Sequence, residues 1–313
     1  MAAKHDGWHR GAWKLVGAKT MNATATVLAA QAEGLLSAAQ LREYWERGFL
    51  AIDGVLPYAH LEELRAAEAS PEVQAALQSQ GIAEKTVHLL EATLRHPAIL
   101  ALARAAQIIQ RITPLLGPDI QLQHSKLATK PTAKGKGAFG WHQDFAYYPH
   151  TNTSLLSVFV YLDDTNPNNG GMSMVVGSHK LGLLNHANEK GDFSGQCQES
   201  AYWERDPGKV VPLNCRAGAI SIHHCLTLHG SPVNESGRPR RGLVFSYRAA
   251  DAYQLADTVF ADTGLQVSGA ASQVVRCEAA TWRLPRRNWG ADLYGSAWHQ
   301  VGPWAQDQNR RPV

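Results

Sequence analysis

Near residue 119 the hydrophobic pattern of this chain changes period from helical to strand-like, and few architectures accommodate such a change. Before that point, Ser37-Ala-Ala-Gln40 has the form of a capping box opening a helix whose Leu41, Tyr44, Trp45 and Phe49 share a face. Gly48 ends that helix, and a strand follows toward Pro57. Ala- and Leu-rich periodicity predicts further helices over 58–68, 72–80 and 97–113. After residue 119 the apolar residues come in short runs: Ile120 to Lys130, Leu155 to Leu162, Met172 to Val176, Lys209 to Leu213, Ala219 to His223, Thr227 to His229 and Gly242 to Arg248. Gly, Pro and Asn clusters punctuate them, among them the loop 132–138 and the turn Asn168-Asn169-Gly170-Gly171. Many short strands after a helical segment predict a mainly β protein with helices, a double-stranded β-helix (jelly-roll, cupin-like) core flanked by N-terminal α-helices.

A chain of 313 residues suits one main domain with extensions. The boundaries read as an N-terminal extension over 1–36, a domain over 37–250 with its β core from about 119 to 250, and a C-terminal extension over 251–313. The last segment scatters Trp282, Trp289, Trp298 and Trp304 among Arg, Pro and Gly, aromatics available to pack on the barrel or on a subunit partner. A homodimer is therefore open. With 44% hydrophobic and 18% charged residues the chain can bury a core, and a net charge of +3 gives no reason to expect nucleic acid or an anionic membrane surface as partner. A small-molecule substrate is the expected partner. The absence of an apolar run of about 18 residues predicts no membrane span. Residues 1–30 lack the uninterrupted apolar stretch of a secretory signal. Four cysteines without a C-x-x-C pair read as reduced thiols, so the expected location is cytoplasmic.

The chemistry concentrates at Trp141-His142-Gln143-Asp144-Phe145. On an extended strand His142 and Asp144 leave the same face about 7 Å apart, a short reach to one metal ion. Two histidines and one carboxylate with open positions form the ligand set of non-haem Fe(II) oxygenases. The third ligand is read as His229, 85 residues beyond Asp144, since the strands between them can return the chain to the same end of a barrel. His223 and His224 compete, and on a regular strand only one of those two can point inward.

These segments together resemble the phytanoyl-CoA dioxygenase family of Fe(II)/2-oxoglutarate-dependent oxygenases. The resemblance covers roughly residues 37–250. It is carried by Trp141-His142-Gln143-Asp144-x-x-Tyr147-Tyr148-Pro149, by Asn168-Asn-Gly-Gly-Met-x-Met-Val-Val-Gly177-Ser178-His179, and by His229-Gly-Ser-Pro-Val-Asn234-x-Ser236-x-x-x-Arg240-Arg241. It implies that His142, Asp144 and His229 hold Fe(II) and that Arg240 binds the far carboxylate of 2-oxoglutarate. A guanidinium suits that task because its planar fork matches a carboxylate and stays charged. Arg238 and Arg241 flank it, and on a strand Arg241 would face the opposite way from Arg240. Ser231, Tyr148, Lys126 and Thr129 occupy places from which relatives also reach 2-oxoglutarate. His179 reads as part of a turn.

The implied activity is that of a 2-oxoglutarate-dependent non-haem iron dioxygenase, consuming O₂ and releasing succinate and CO₂ while it hydroxylates a C–H bond of a small-molecule metabolite, as in natural-product biosynthesis. The carboxylate at Asp144 argues against halogenation, because related halogenases carry Ala or Gly there. Phe145, Tyr147, Tyr202 and Trp203 are the aromatics proposed for a substrate pocket, or equally for the core, and the polar stretch 180–208 has the length of a lid. Two other classes share the ligand set: a Zn-dependent hydrolase, which would leave Arg240 unexplained, and a non-catalytic metal-binding barrel.

Overall fold

A computed structural model of the chain describes residues 35–78, 87–256, 260 and 262–284. The expected N-terminal extension up to residue 34 and Trp289, Trp298 and Trp304 lie outside the described residues. The capping box is formed: Gln40 N–H donates to Ser37 Oγ at 3.2 Å and Ser37 N–H donates to Gln40 Oε1 at 2.9 Å, opening helix α1 (Ala38–Arg47). Gly48, at φ 89°, ends α1 in the left-handed conformation and turns the chain into strand β1 (Phe49–Ile52). Tyr44 is buried and Leu41 partly so, whereas Trp45 is 48% exposed; the apolar face of α1 is narrower than its sequence suggests.

Helices α2 (Tyr58–Glu68) and α3 (Pro71–Gln78) follow, then β2 (Val87–Leu90). The single helix expected over 97–113 is instead two, α4 (Pro97–Ala103) and α5 (Ala106–Leu116), because Ala105 adopts an extended backbone between them. Residues Pro97–Leu116 are long and apolar enough to cross a membrane by length and composition. Yet they carry Arg104 and Arg111 and bury Ile99, Leu102, Ile108 and Ile112 in the protein core.

Eight strands, β3 (Ile120–Lys130), β4 (Phe139–His142), β5 (Leu155–Tyr161), β6 (Ser173–Val175), β7 (Val210–Pro212), β8 (Ile220–His224), β9 (His229–Ser231) and β10 (Arg240–Ala249), build the core. They pair in a nested antiparallel scheme, β3 with β10, β4 with β9, β5 with β8 and β6 with β7. That is one long two-stranded ribbon wound into a jelly roll. The larger sheet runs β1-β8-β5-β10-β3, with β2 and β11 (Leu265–Ser268) both pairing with β3; the smaller runs β4-β9-β6-β7.

Period-two alternation divides the large sheet. Leu122, Leu127, Leu156, Val158, Val160, Ile220, Ile222, Leu243 and Phe245 face the helices and form the main core with Leu61, Leu64, Ile99 and Ile108. Each such side chain contributes about 1.5–3 kcal/mol by burial. The opposite face carries Ala128, Phe159, Tyr161 and Val244 toward the small sheet and its Met174. The described part of the C-terminal segment packs on this barrel: Trp282 meets Phe145 edge-on at 4.8 Å, and Thr153 N–H donates to Glu278 at 2.8 Å.

Two buried histidines away from the small-sheet cavity are held neutral. His150 bonds the Tyr148 carbonyl through Nδ1 at 2.7 Å; His186 bonds the Leu184 carbonyl through Nδ1 at 2.9 Å and accepts the Gln143 N–H on Nε2 at 3.0 Å. Burial pushes both down to about 4. Since an unfolded histidine titrates near 6.5, the unfolded chain takes up these protons first, so their stability contribution is complete above about 6.5 and is lost as pH falls toward 4. Urea unfolding should therefore show stability falling by about 1 kcal/mol per pH unit for each histidine over that range. The same decline in a His150→Gln/His186→Gln variant would assign the acid sensitivity to other groups.

Candidate metal centre and its cavity

The pairing of β4 with β9 places His142 directly across from His229. Their rings lie 4.1 Å apart. Each ring is fixed through Nδ1, His142 to the Gly140 carbonyl at 2.8 Å and His229 to the Thr227 carbonyl at 2.9 Å. Both carbonyls require a donor, so Nδ1 carries the proton and Nε2 presents its lone pair. Burial lowers both imidazoles, His229 to about 4, which keeps them neutral and ready to ligate near neutral pH.

Asp144 leaves β4 at the start of a short 3-10 turn, Asp144–Ala146, and points back at the two rings. Its Oδ1 lies 3.8 Å from His142 Nε2 and 3.9 Å from His229 Nε2. One ligand atom from each of the three residues falls within 4.8 Å of the others, an arrangement that one cation can bridge. The other oxygen, Oδ2, is anchored: Ser157 Oγ–H donates to it at 2.7 Å and His223 Nε2 lies 3.2 Å away. Ser157 is itself 2.8 Å from Ser246 Oγ. Burial alone would raise the Asp144 carboxyl; the His223 hydrogen bond and the neighbouring His229 outweigh it and hold the group well below the usual carboxylate range.

Below this triad opens a cavity lined by His88, Lys126, Phe139, Phe159, Met172, Ser231 and Arg240 as well as by His142, Asp144, His223 and His229. Arg240 is 3% exposed, stands over the Phe159 ring at 5.4 Å, and its Nε and Nη1 have no hydrogen-bond partner among the described residues. A buried guanidinium with unspent donors at one end of a cavity, and a two-His-one-carboxylate set at the other, fits a dicarboxylate that spans the two. Arg241 has the opposite fate. It turns outward to Asp163 and Glu68, both at 2.8 Å.

Of the residues expected around the co-substrate, Arg240, Ser231 and Lys126 line the cavity. Thr129 does not: it alternates with Ala128 and Lys130 and so faces away. Tyr148 is buried beside His124 and Phe260, its hydroxyl 3.4 Å from Ser246 Oγ. Between the competing histidines, His223 points inward to Asp144 and His224 outward to Trp45 and His179. The cavity's aromatic walls are Phe139 and Phe159. Phe145 and Tyr147 pack in a neighbouring cluster, and Trp203 stacks on Trp141 at 5.5 Å. Residues 180–208 grip the metal strand from behind, with Gln143 donating to the Gly182 carbonyl at 2.9 Å and accepting the Leu184 N–H at 2.7 Å.

The sequence reading passed over Ser157, Ser246 and His88. Ser157 had a signal, as the one polar residue within the apolar run of β5, with the inward parity of Phe159. His88 had none, standing alone on a short strand.

The model of the family described as phytanoyl-CoA dioxygenase (PhyH) matches residues 44–242. A Stutzerimonas stutzeri protein described as "Probable alpha-ketoglutarate-dependent hypophosphite dioxygenase" is 34% identical over 232 residues, 70% of this chain and 80% of that protein. The ectoine dioxygenase of Halomonas elongata is 28% identical over 245 residues, 71% of this chain and 72% of that enzyme. Among solved structures, EctD from S. alaskensis in its apoform aligns with a TM-score of 0.59 at 22% identity, covering 76% of this chain and 87% of that one. The non-haem alpha-ketoglutarate-dependent carbocyclase SnoK from nogalamycin biosynthesis aligns at 0.58 and 24%, covering 70% and 86%. These two likenesses speak for the jelly-roll fold. With the family model spanning well over half of the sequence and a relative above 30% identity along most of it, the chain belongs to the phytanoyl-CoA dioxygenase (PhyH) family and is a 2-oxoglutarate-dependent non-haem iron dioxygenase.

Proposed function

We propose that this enzyme hydroxylates a C–H bond of a small-molecule metabolite, with His142, Asp144 and His229 holding Fe(II) and Arg240 with Ser231 holding 2-oxoglutarate. The observation that carries the reading is Arg240, buried with two unpartnered donors in the same cavity that ends at the triad. When bound, the iron and 2-oxoglutarate supply the O₂ chemistry, with decarboxylation to succinate driving oxidation of the substrate. The chain's own part is positional. Arg240 would hold the distal carboxylate through its planar fork and so orient the co-substrate in the cavity. Ser157 and His223 occupy Asp144 Oδ2, which leaves Oδ1 turned to the metal. Phe139, Phe159 and Met172 supply the apolar part of the cavity wall.

A second reading applies the same machinery to a P–H bond. It draws on the relative named for hypophosphite and on the cationic Lys126 in the cavity wall. Phosphite formed from hypophosphite in step with succinate would select it over C–H hydroxylation.

Two outcomes test the site. Anaerobic Fe(II) and 2-oxoglutarate added to metal-free protein should give the weak visible charge-transfer band of the chelate. Arg240→Met should raise the 2-oxoglutarate needed for that band by about 30-fold or more while Fe(II) binding persists, because a buried charge-assisted contact is lost. An unchanged requirement removes Arg240 from the co-substrate site. In Ser157→Ala the triad is intact but Asp144 loses its anchor, and Fe(II) affinity should drop by about 10- to 100-fold. Metal titration showing wild-type affinity would mean the anchor is idle.

A further inference from the structure

Lys126 is a buried cation that the assigned chemistry leaves over. It is 8% exposed and lines the cavity. Among the described residues its ammonium has no hydrogen-bond acceptor; the Phe260 ring lies 5.3 Å from its Nζ, and the Asp144 carboxylate acts on it through space. The other lysine of β3 differs. Lys130 spends its ammonium on the Gly137 and Pro232 carbonyls and does not line the cavity.

Register fixes where along the cavity Lys126 stands. Lys130 lies across from Arg240, whereas Lys126 lies across from Val244, roughly 13 Å further along the strand. One pleat repeat beyond Val244 is Ser246, which bonds Ser157, which in turn holds Asp144. Lys126 is therefore at the level of the metal centre, away from the Arg240 end. His88, on the same wall, is kept neutral by burial and by the nearby Lys126.

The charges then do not cancel. Counting only the groups that line or would enter the cavity, and so leaving out Lys130, two positive charges on Fe(II) and one on Arg240 balance one negative charge on Asp144 and two on 2-oxoglutarate. Lys126 remains, and a buried cation without a full counter-charge is costly unless a ligand brings one.

We propose that the prime substrate is a small oxyanion carrying one negative charge, a carboxylate or a phosphorus acid, gripped by the Lys126 ammonium on the metal side of the cavity. This rests on the Fe(II) and 2-oxoglutarate assignment above. It makes Lys126 a specificity-determining residue, in place of the co-substrate contact that the family resemblance implies for it.

The test uses the full chain loaded anaerobically with Fe(II) and 2-oxoglutarate, whose chelate band responds when a ligand enters beside the metal. Two anions, acetate and methylphosphinate, are titrated against their uncharged isosteres acetamide and dimethylphosphine oxide. At least one anion should perturb the band at a concentration about 10-fold or more below its isostere, and which one does so separates carboxylate from phosphorus acid. Lys126→Met should erase that preference and Lys126→Arg should retain it, with the band itself still forming in both. The inference is overturned if the isosteres act as well as the anions, if neither anion acts, or if Lys126→Met keeps the preference. It also falls if Lys126→Met needs far more 2-oxoglutarate to form the band, since Lys126 would then serve the co-substrate. A wild-type chain that forms no band at all would instead refute the iron and 2-oxoglutarate assignment.

Discussion

The antiparallel pairing of β4 with β9 is the constraint on which the metal centre depends. It brings residues 142 and 229 face to face although 87 positions separate them, and it does so through backbone hydrogen bonds that take no part in the chemistry. The pairing is in turn one rung of the nested ribbon, since β3 with β10 and β5 with β8 fix the ends from which β4 and β9 depart. A one-residue slip would reverse the facing of every side chain on the slipped strand. The apolar residues of β5 and β10 that meet the helices resist such a slip, because it would drive Ser157 and Arg240 into the main core.

Alternation along these strands sorts neighbouring, chemically similar residues into different duties. Arg240 faces the cavity and keeps its donors unspent; Arg241, one residue on, is neutralised by Asp163 and Glu68 and ties β10 to α2. His223 supports Asp144, while His224 faces α1 and the Gly177–His179 turn. Lys126 and Lys130 share a face yet differ in surroundings, because among the described residues only Lys130 finds carbonyls within reach. A conservative reading by residue type would merge each of these pairs.

How much of this was legible in the sequence follows from the same physics. The jelly roll rests on period, which a sequence carries directly, and parity shows that Arg240 and Arg241 face opposite ways; the His142–Asp144–His229 set and the choice of Arg240 come instead from the motifs that carry the family resemblance. The break between α4 and α5 was not legible, since Arg104 and Ala105 are ordinary helix formers and tertiary packing overrides them. The division of aromatics was hidden too. Phe145, Tyr147 and Trp203 look as suitable for a pocket as Phe139 and Phe159, and only the turn at Asp144–Ala146 and the grip of residues 180–208 on β4 decide which ones see the cavity.

The polar cluster at the cavity carries a physical cost that the rest of the barrel must offset. Arg240 and Lys126 are buried, Arg240 with two donors unpartnered among the described residues, and Asp144 is buried against three imidazoles. Breaking the partners of a buried charge typically costs about 3–5 kcal/mol, comparable with a good fraction of a domain's whole stability. The chain tolerates this because the cluster lies between two sheets whose other residues are apolar and because Asp144, the one anion, has its outer oxygen satisfied by Ser157 and His223. What remains unsatisfied points inward: Asp144 Oδ1 toward the two Nε2 atoms, Arg240 Nε and Nη1 toward the cavity, and Lys126 beside them. On the proposed function each is the complement of a group that binds there, so the cost of burying these groups and the affinity for their ligands are the same free energy seen from opposite sides.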